Sequence, residues 1–99
     1  MGLKVFLIVI AMVNPSETES FDYYVSQLRT QYESVGAKPV RYPINHTLLG
    51  GESPDFIMIV EFPDAAAVQK LFSSEAYKKL VPYREKGFKE LKVYLSTEE

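Results

Sequence analysis

Few residues in this chain have side chains suited to chemistry, and their placement limits what that chemistry is. Glu61 is the one charge inside Phe56–Phe62, an apolar run followed at once by Pro63-Asp64. Held where the core should be dry, its carboxyl would be pushed up in pKa by desolvation and would suit a general acid or base. At the strand end it would instead be a rim carboxylate or the partner of Arg84. Arg84 shares a helical face with Tyr77, Leu80 and Val81. Its guanidinium there could grip a carboxylate or enolate bidentately, pair with Glu61, or contact a helix-end carbonyl. His46 is the only histidine and falls on the apolar side of an alternating stretch with Tyr42 and Ile44. It could shuttle a proton, or be a half-buried, hydrogen-bonded side chain. Glu61 and His46 are therefore the catalytic candidates. Tyr24, Tyr77 and Tyr83, with Tyr23 and Tyr42, could hydrogen-bond a polar ligand group in an apolar pocket, although ring packing alone also accounts for them. No carboxylate is spaced to help His46 hold a metal, and no Gly-rich phosphate loop or Ser-His-Asp order appears, so neither metal nor cofactor is expected.

The bulk properties bound the rest. Ninety-nine residues, 46% hydrophobic and 24% charged, make a single globular domain, residues 1–99, with a limited core. Seven Tyr and six Phe, with no Trp, must supply most of the large apolar area. A net charge of −2 gives no basic face for nucleic acid. The absence of cysteine excludes disulfides and thiolate chemistry and fits a reducing cytoplasm. Residues 3–13 superficially resemble a signal peptide, but they lack a cleavage site and are too short to span a bilayer, so a core strand is expected. Met1-Gly2 with Phe6 does not support myristoylation. No basic amphipathic face suggests membrane binding.

The elements that must position these residues follow from pattern. Residues 3–13 are apolar at nearly every position, as in a strand covered on both faces. Asn14 reads as an N-cap, with Pro15 at the first helical position and Glu17 in a capping box. A helix then runs to about Val35 on the stripe Phe21, Tyr24, Val25, Leu28, Tyr32 and Val35, and Gly36 stops it. Residues 37–49 alternate, with Val40, Tyr42, Ile44, His46 and Leu48 on one face. Pro39 and Pro43 confine that strand to an edge. Phe56–Phe62 is a central strand. Asp64 caps the next helix, and Ser74 caps a further segment that Pro82 kinks or shortens. Gly87 ends it, residues 88–96 form the last strand, and the tail 97–99 is solvated.

The order is βαββαβ, an α+β, ferredoxin-like plan with a four-stranded antiparallel sheet. Strands one and three belong at its centre, because they are continuously apolar. Helices cover one face. The other is too apolar for water and calls for a partner, most simply a second copy packed sheet to sheet.

Ile59-Val60-Glu61-Phe62-Pro63 running into Ala65-Ala66-Ala67, then Phe72, Ser74-Glu75-Ala76-Tyr77 and Leu80-Val81-Pro82-Tyr83-Arg84, resemble the dimeric α/β-barrel superfamily. More closely, with the Asn-Pro helix entry, they resemble the small bacterial domain-of-unknown-function family 1330. The resemblance implies a homodimeric barrel without a settled activity. Arg41-Tyr42-Pro43 stands near a family Arg-Gly-Gly and so implies a basic, ligand-binding Arg41; Gly36-Ala37 replaces the family's Gly-Gly, and Gly50-Gly51 lies downstream. Members of the wider superfamily are cofactor-free monooxygenases, isomerases, dehalogenases and decarboxylases. Two functions are therefore expected: a cytoplasmic homodimer that binds a small molecule or is merely structural, or a cofactor-independent enzyme acting on a small organic acid or enolisable compound. In the second, Glu61 or His46 would move a proton while Arg84 and a tyrosine held the anion.

Overall fold

A computed structural model describes residues 3–98; Met1-Gly2 and the final residue of the tail, Glu99, lie outside the described residues. The elements are β1 (Val5–Val13), α1 (Thr18–Ser34), β2 (Lys38–Pro43), β3 (Phe56–Phe62), α2 (Ala65–Phe72), α3 (Glu75–Lys78), α4 (Val81–Gly87) and β4 (Phe88–Thr97). The sheet has four strands in the order β2-β3-β1-β4, and every neighbouring pair is antiparallel. The continuously apolar strands take the centre and the proline-bearing β2 takes an edge, where a missing N–H leaves no ladder bond unmade. This is the ferredoxin-like α+β fold, and its sheet is not closed within one chain.

Register decides which side chains reach the core. Residues directly opposite one another share a face, so the pairs Leu7↔Val60 and Val5↔Phe62 point toward the helices, while Ile8↔Ile59 and Ile10↔Ile57 point away. The helix side is the core: Val5, Leu7, Val9, Val60 and Phe62 are buried against Tyr24, Leu28, Tyr32, Leu71, Tyr77 and Leu80. Phe62 is fully buried, with its ring edge-on to Tyr32 at 6.0 Å between centroids. On the other side Phe6, Ile8, Ile10, Ile57 and Ile59 are only half-buried, because no element of the chain covers them. The molecule is a slab of 40 × 32 × 15 Å with one face open.

The second strand does not run over residues 37–49. It ends at Pro43, whose partner Phe56 is the first residue of β3, so beyond it there is no strand to pair with. After one bond from Ile44 N to Asp55 O, at 3.0 Å, the chain leaves the sheet as a loop. His46, Leu48 and Leu49 ride on that loop and are exposed. The apolar side of β2, Val40 and Tyr42, is not the side that meets the helices. Register puts Pro39, Arg41 and Pro43 toward the helices, and Val40 and Tyr42 on the open face.

Asn14 does not cap α1. The helix starts four residues later, from Glu17, which makes no side-chain cap bond. Asn14 is held to the other end of the fold instead: its N donates to Gly87 O at 2.9 Å and its Nδ2 to Lys86 O at 3.1 Å. Its Oδ1 accepts from Ser16 N and Oγ, an Asx-type turn that takes the chain into α1.

The other helix signals work as read. Asp64 Oδ1 accepts from Ala67 N at 2.8 Å, and Ser74 Oγ accepts from Tyr77 N at 3.1 Å. Pro82 opens α4 in its first turn, where its missing N–H is harmless. Asp64→Ala is expected to cost ~1 kcal/mol of folding free energy, read as a lower urea midpoint at unchanged m-value; no loss would mean that α2 is held by its apolar face alone.

Candidate functional site

A cavity of about 800 Å³ opens between the sheet and the helices. Its wall is mostly apolar, drawn from Leu7 and Val9 of β1, Leu28 of α1, Phe72 of α2 and Leu91 and Val93 of β4. The helices leave it open along the far part of β4. Val93 and Leu95 therefore stay 47% and 61% exposed although they point toward the helical layer.

Three polar side chains converge at this wall. Tyr24 lies on the buried stripe of α1 and Tyr77 in the single turn of α3 that Ser74 caps. Each is only 5% exposed, and their hydroxyls meet at 2.9 Å. Arg84, from α4, donates from Nη1 to the Tyr77 Oη at 2.9 Å, with its Cζ 5.9 Å from the centre of that ring. Two ring contacts fix the phenols: Phe72 stands edge-on to Tyr77 at 4.8 Å and Phe88 edge-on to Tyr24 at 5.7 Å.

The electrostatics of the trio follow from burial and these bonds. Burial, with Tyr77 close by, pushes the Tyr24 hydroxyl far above the ordinary phenol range, so it remains a neutral donor. Burial does the same to Tyr32 deeper in the core. For Arg84, burial works against the charge, but the hydrogen bond and proximity to Tyr77 outweigh it and raise the pKa. The guanidinium is a fixed cation, and it makes no ion pair with a carboxylate among the described residues.

Arg41 also lines the cavity, from the helix side of β2. Its guanidinium lies over Phe56 at 4.4 Å from the ring centre and 5.8 Å from that of Phe21, a cation–π seat. Tyr83 is not part of the lining. It stacks on Tyr23 at 4.5 Å on the outer surface of the helices, where both rings are partly exposed.

Glu61 and His46 are not brought to this site. Register places Glu61 opposite Phe6 and Lys38 on the open face. There its carboxylate is 3.7 Å from Lys4 Nζ. The sheet separates it from Arg84, so the two do not pair. His46 is exposed on the loop that follows β2. Sequence reasoning missed Arg29 and Lys89, which line the cavity as further cations, and Phe88, which buttresses Tyr24. Only Phe88 carried a signal, as the aromatic directly after Gly87.

Among the described residues, no group of three or more His, Asp and Glu side chains could hold a metal ion. None of the helices described is long and apolar enough to cross a membrane.

Comparison with known proteins adds the following. The family model described as "Domain of unknown function (DUF1330)" matches residues 6–95. No curated protein matches the sequence. Among solved structures, a protein of unknown function from Rhodopseudomonas palustris is 19% identical with a TM-score of 0.86, over 100% of this chain and 85% of that one. A dimeric ferredoxin-like protein of unknown function from Thermobifida fusca is 9% identical with a TM-score of 0.69, over 99% and 93%. SnoaB, a cofactor-independent oxygenase from Streptomyces nogalater, is 8% identical with a TM-score of 0.75, over 99% and 95%. At these identities the likeness is one of fold.

Proposed function

We propose, from the premise that this chain belongs to the DUF1330 family, that it is a cytoplasmic homodimer that binds a small molecule between its sheet and its helices. The observation that carries this reading is the cavity of about 800 Å³, apolar over most of its wall, with Tyr24, Tyr77 and Arg84 converging on it. Small-molecule sites have this make-up: roughly 300–1,000 Å³ of largely apolar space with a few placed polar groups. A core of this size would gain by collapsing onto such a space, since interiors pack densely. Tyr24, Tyr77, Arg84 and Arg41 are the ligand-binding residues in this reading.

The dimer is proposed through the open sheet face. Half-buried Phe6, Ile8, Ile10, Ile57 and Ile59 make a continuous apolar surface there, rimmed by Lys4, Lys38 and Glu61. A patch of that kind marks an association site. The Thermobifida fusca protein of like fold is described as dimeric.

One observation favours a second reading, a cofactor-independent enzyme. Buried phenols beside a fixed guanidinium are donors aimed where an enolate or tetrahedral oxyanion would carry its charge. Proton removal by Glu61 or His46 would then require substrate to extend beyond the cavity or a second chain to supply the group.

Methyl-resolved NMR with a library of small aromatic fragments tests the main reading. Binders should perturb the methyls of Leu7, Leu28 and Leu91 while leaving those of Ile8 and Ile59 unmoved. Perturbation confined to the isoleucines of the open face would overturn it.

A further inference from the structure

The hydroxyl pair beside Arg84 holds one more proton than its own bonds use. Two phenols bring two hydroxyl protons. One of them fills the 2.9 Å contact between Tyr24 and Tyr77. The contact from Arg84 consumes none, because there Tyr77 Oη accepts. Whichever phenol donates to the other, the second proton finds no acceptor among the described residues. Both side chains are 95% removed from solvent, where an unmet donor is costly. Arg84 adds donors of the same sense: among the described residues only its Nη1 is engaged, and no carboxylate forms an ion pair with it.

The charge of the wall points the same way. Four cations, Arg29, Arg41, Arg84 and Lys89, line the cavity against two carboxylates, Glu85 and Glu90. Glu90 is engaged by Lys92 at 3.2 Å and Lys89 by Glu52 at 3.9 Å, which leaves three arginines against Glu85. The chain as a whole carries −2, so the cavity reverses the sign of the molecule.

We infer that the cavity selects small aromatic or aliphatic molecules bearing a carboxylate or enolate oxygen, which accepts the free phenol proton and lies against the Arg84 guanidinium. The apolar remainder rests on Leu7, Leu28 and Leu91. This assignment rests on the cavity being the ligand site. A neutral alcohol of equal size fits the space and can accept the phenol proton, but it brings a proton of its own and no charge for Arg84. An ammonium group cannot accept the free phenol proton and is repelled by the Arg84 guanidinium, so it is disfavoured there.

Calorimetric titration of the full chain with 1-naphthoate and with 1-naphthalenemethanol tests the inference. The carboxylate is expected to bind at least about tenfold tighter, as one charge-assisted hydrogen bond warrants. Arg84→Met, at a half-buried rim position, should remove most of that preference. The Tyr24→Phe/Tyr77→Phe double variant should remove the rest, because the carboxylate then loses a charge-assisted hydrogen bond and the alcohol only a weaker neutral one. The double change is needed because either phenol alone still has a proton to give. Equal affinity of the two probes in the parent chain overturns the inference and leaves the cavity reading standing. A preference that survives in Arg84→Met and in the double variant overturns the assignment to these residues. Failure of both probes to bind overturns the cavity reading and this inference with it.

Discussion

Ile8→Glu is expected to convert the proposed dimer to a folded monomer. Ile8 lies near the middle of the open face, paired with Ile59 on one side and Tyr94 on the other. In the single chain it is half-buried, so a glutamate there can turn its carboxylate to water and the fold tolerates it. In the proposed sheet-to-sheet dimer the same carboxylate is enclosed among Phe6, Ile10, Ile57 and Ile59. An unpaired buried charge costs several kcal/mol, roughly 3–5 where pairs have been broken. That exceeds the margin of a modest interface, so dissociation should be complete at micromolar concentration. Sedimentation velocity reads the mass, and circular dichroism checks that the fold is kept. A dimer of unchanged affinity would place the contact elsewhere, on the helices or on the exposed β4 edge.

The second large effect is expected at Gly87. Its backbone lies so close to α1 that an added Cβ would stand 2.8 Å from both Phe21 Cα and Phe21 N. Those are backbone atoms and cannot turn aside, so α1 must shift bodily. Gly87 also cannot retreat, because its carbonyl holds Asn14 N and the neighbouring Lys86 carbonyl holds Asn14 Nδ2. Gly87→Ala should therefore cost ~1–3 kcal/mol in overpacking, seen in urea unfolding. Its effect reaches the cavity, since Tyr24 follows Phe21 by one helical turn and α4 carries Arg84. Gly51→Ala is the matched control: a Cβ there meets nothing within 4 Å, and stability should not fall. A neutral Gly87→Ala would mean that α1 and α4 are not locked together as described.

Much of this architecture was legible because each element carried its own signal. Uninterrupted apolar runs put β1 and β3 at the centre, and Pro39 with Pro43 sent β2 to an edge. Gly36 stopped α1 in a left-handed conformation, φ +74°, as a helix C-terminus wants. What stayed illegible was facing. A period of two says that a strand has two different sides, not which one meets the helices. In β2 the apolar side, Val40 and Tyr42, faces outward, and the side carrying two prolines and Arg41 faces inward. The apolar set serves the surface that a second copy is proposed to cover, so its apolarity does not mark the helix side.

The facing of Glu61 was illegible for the same reason. In FIMIVEF every position but one is apolar, so no contrast between faces marks which set is inside. Parity with buried Val60 and Phe62 puts Glu61 outward once register is known. Asn14 misled differently: the Asn-Pro pair is a sound cap signal locally, but contacts to Lys86 and Gly87, more than seventy positions away, engage the side chain first. The site itself was half legible. Tyr24, Tyr77 and Arg84 were visible as polar groups on apolar faces. That they meet was not, because the bond between Tyr24 and Tyr77 spans 53 positions.

Native mass spectrometry of the purified protein with 1-naphthoate tests the central claim most directly, because it counts chains and bound molecules together. The account predicts a dimer that gains one naphthoate mass per chain as the ligand is raised. A stable monomer that gains no mass would contradict both the open-face dimer and the cavity as a ligand site.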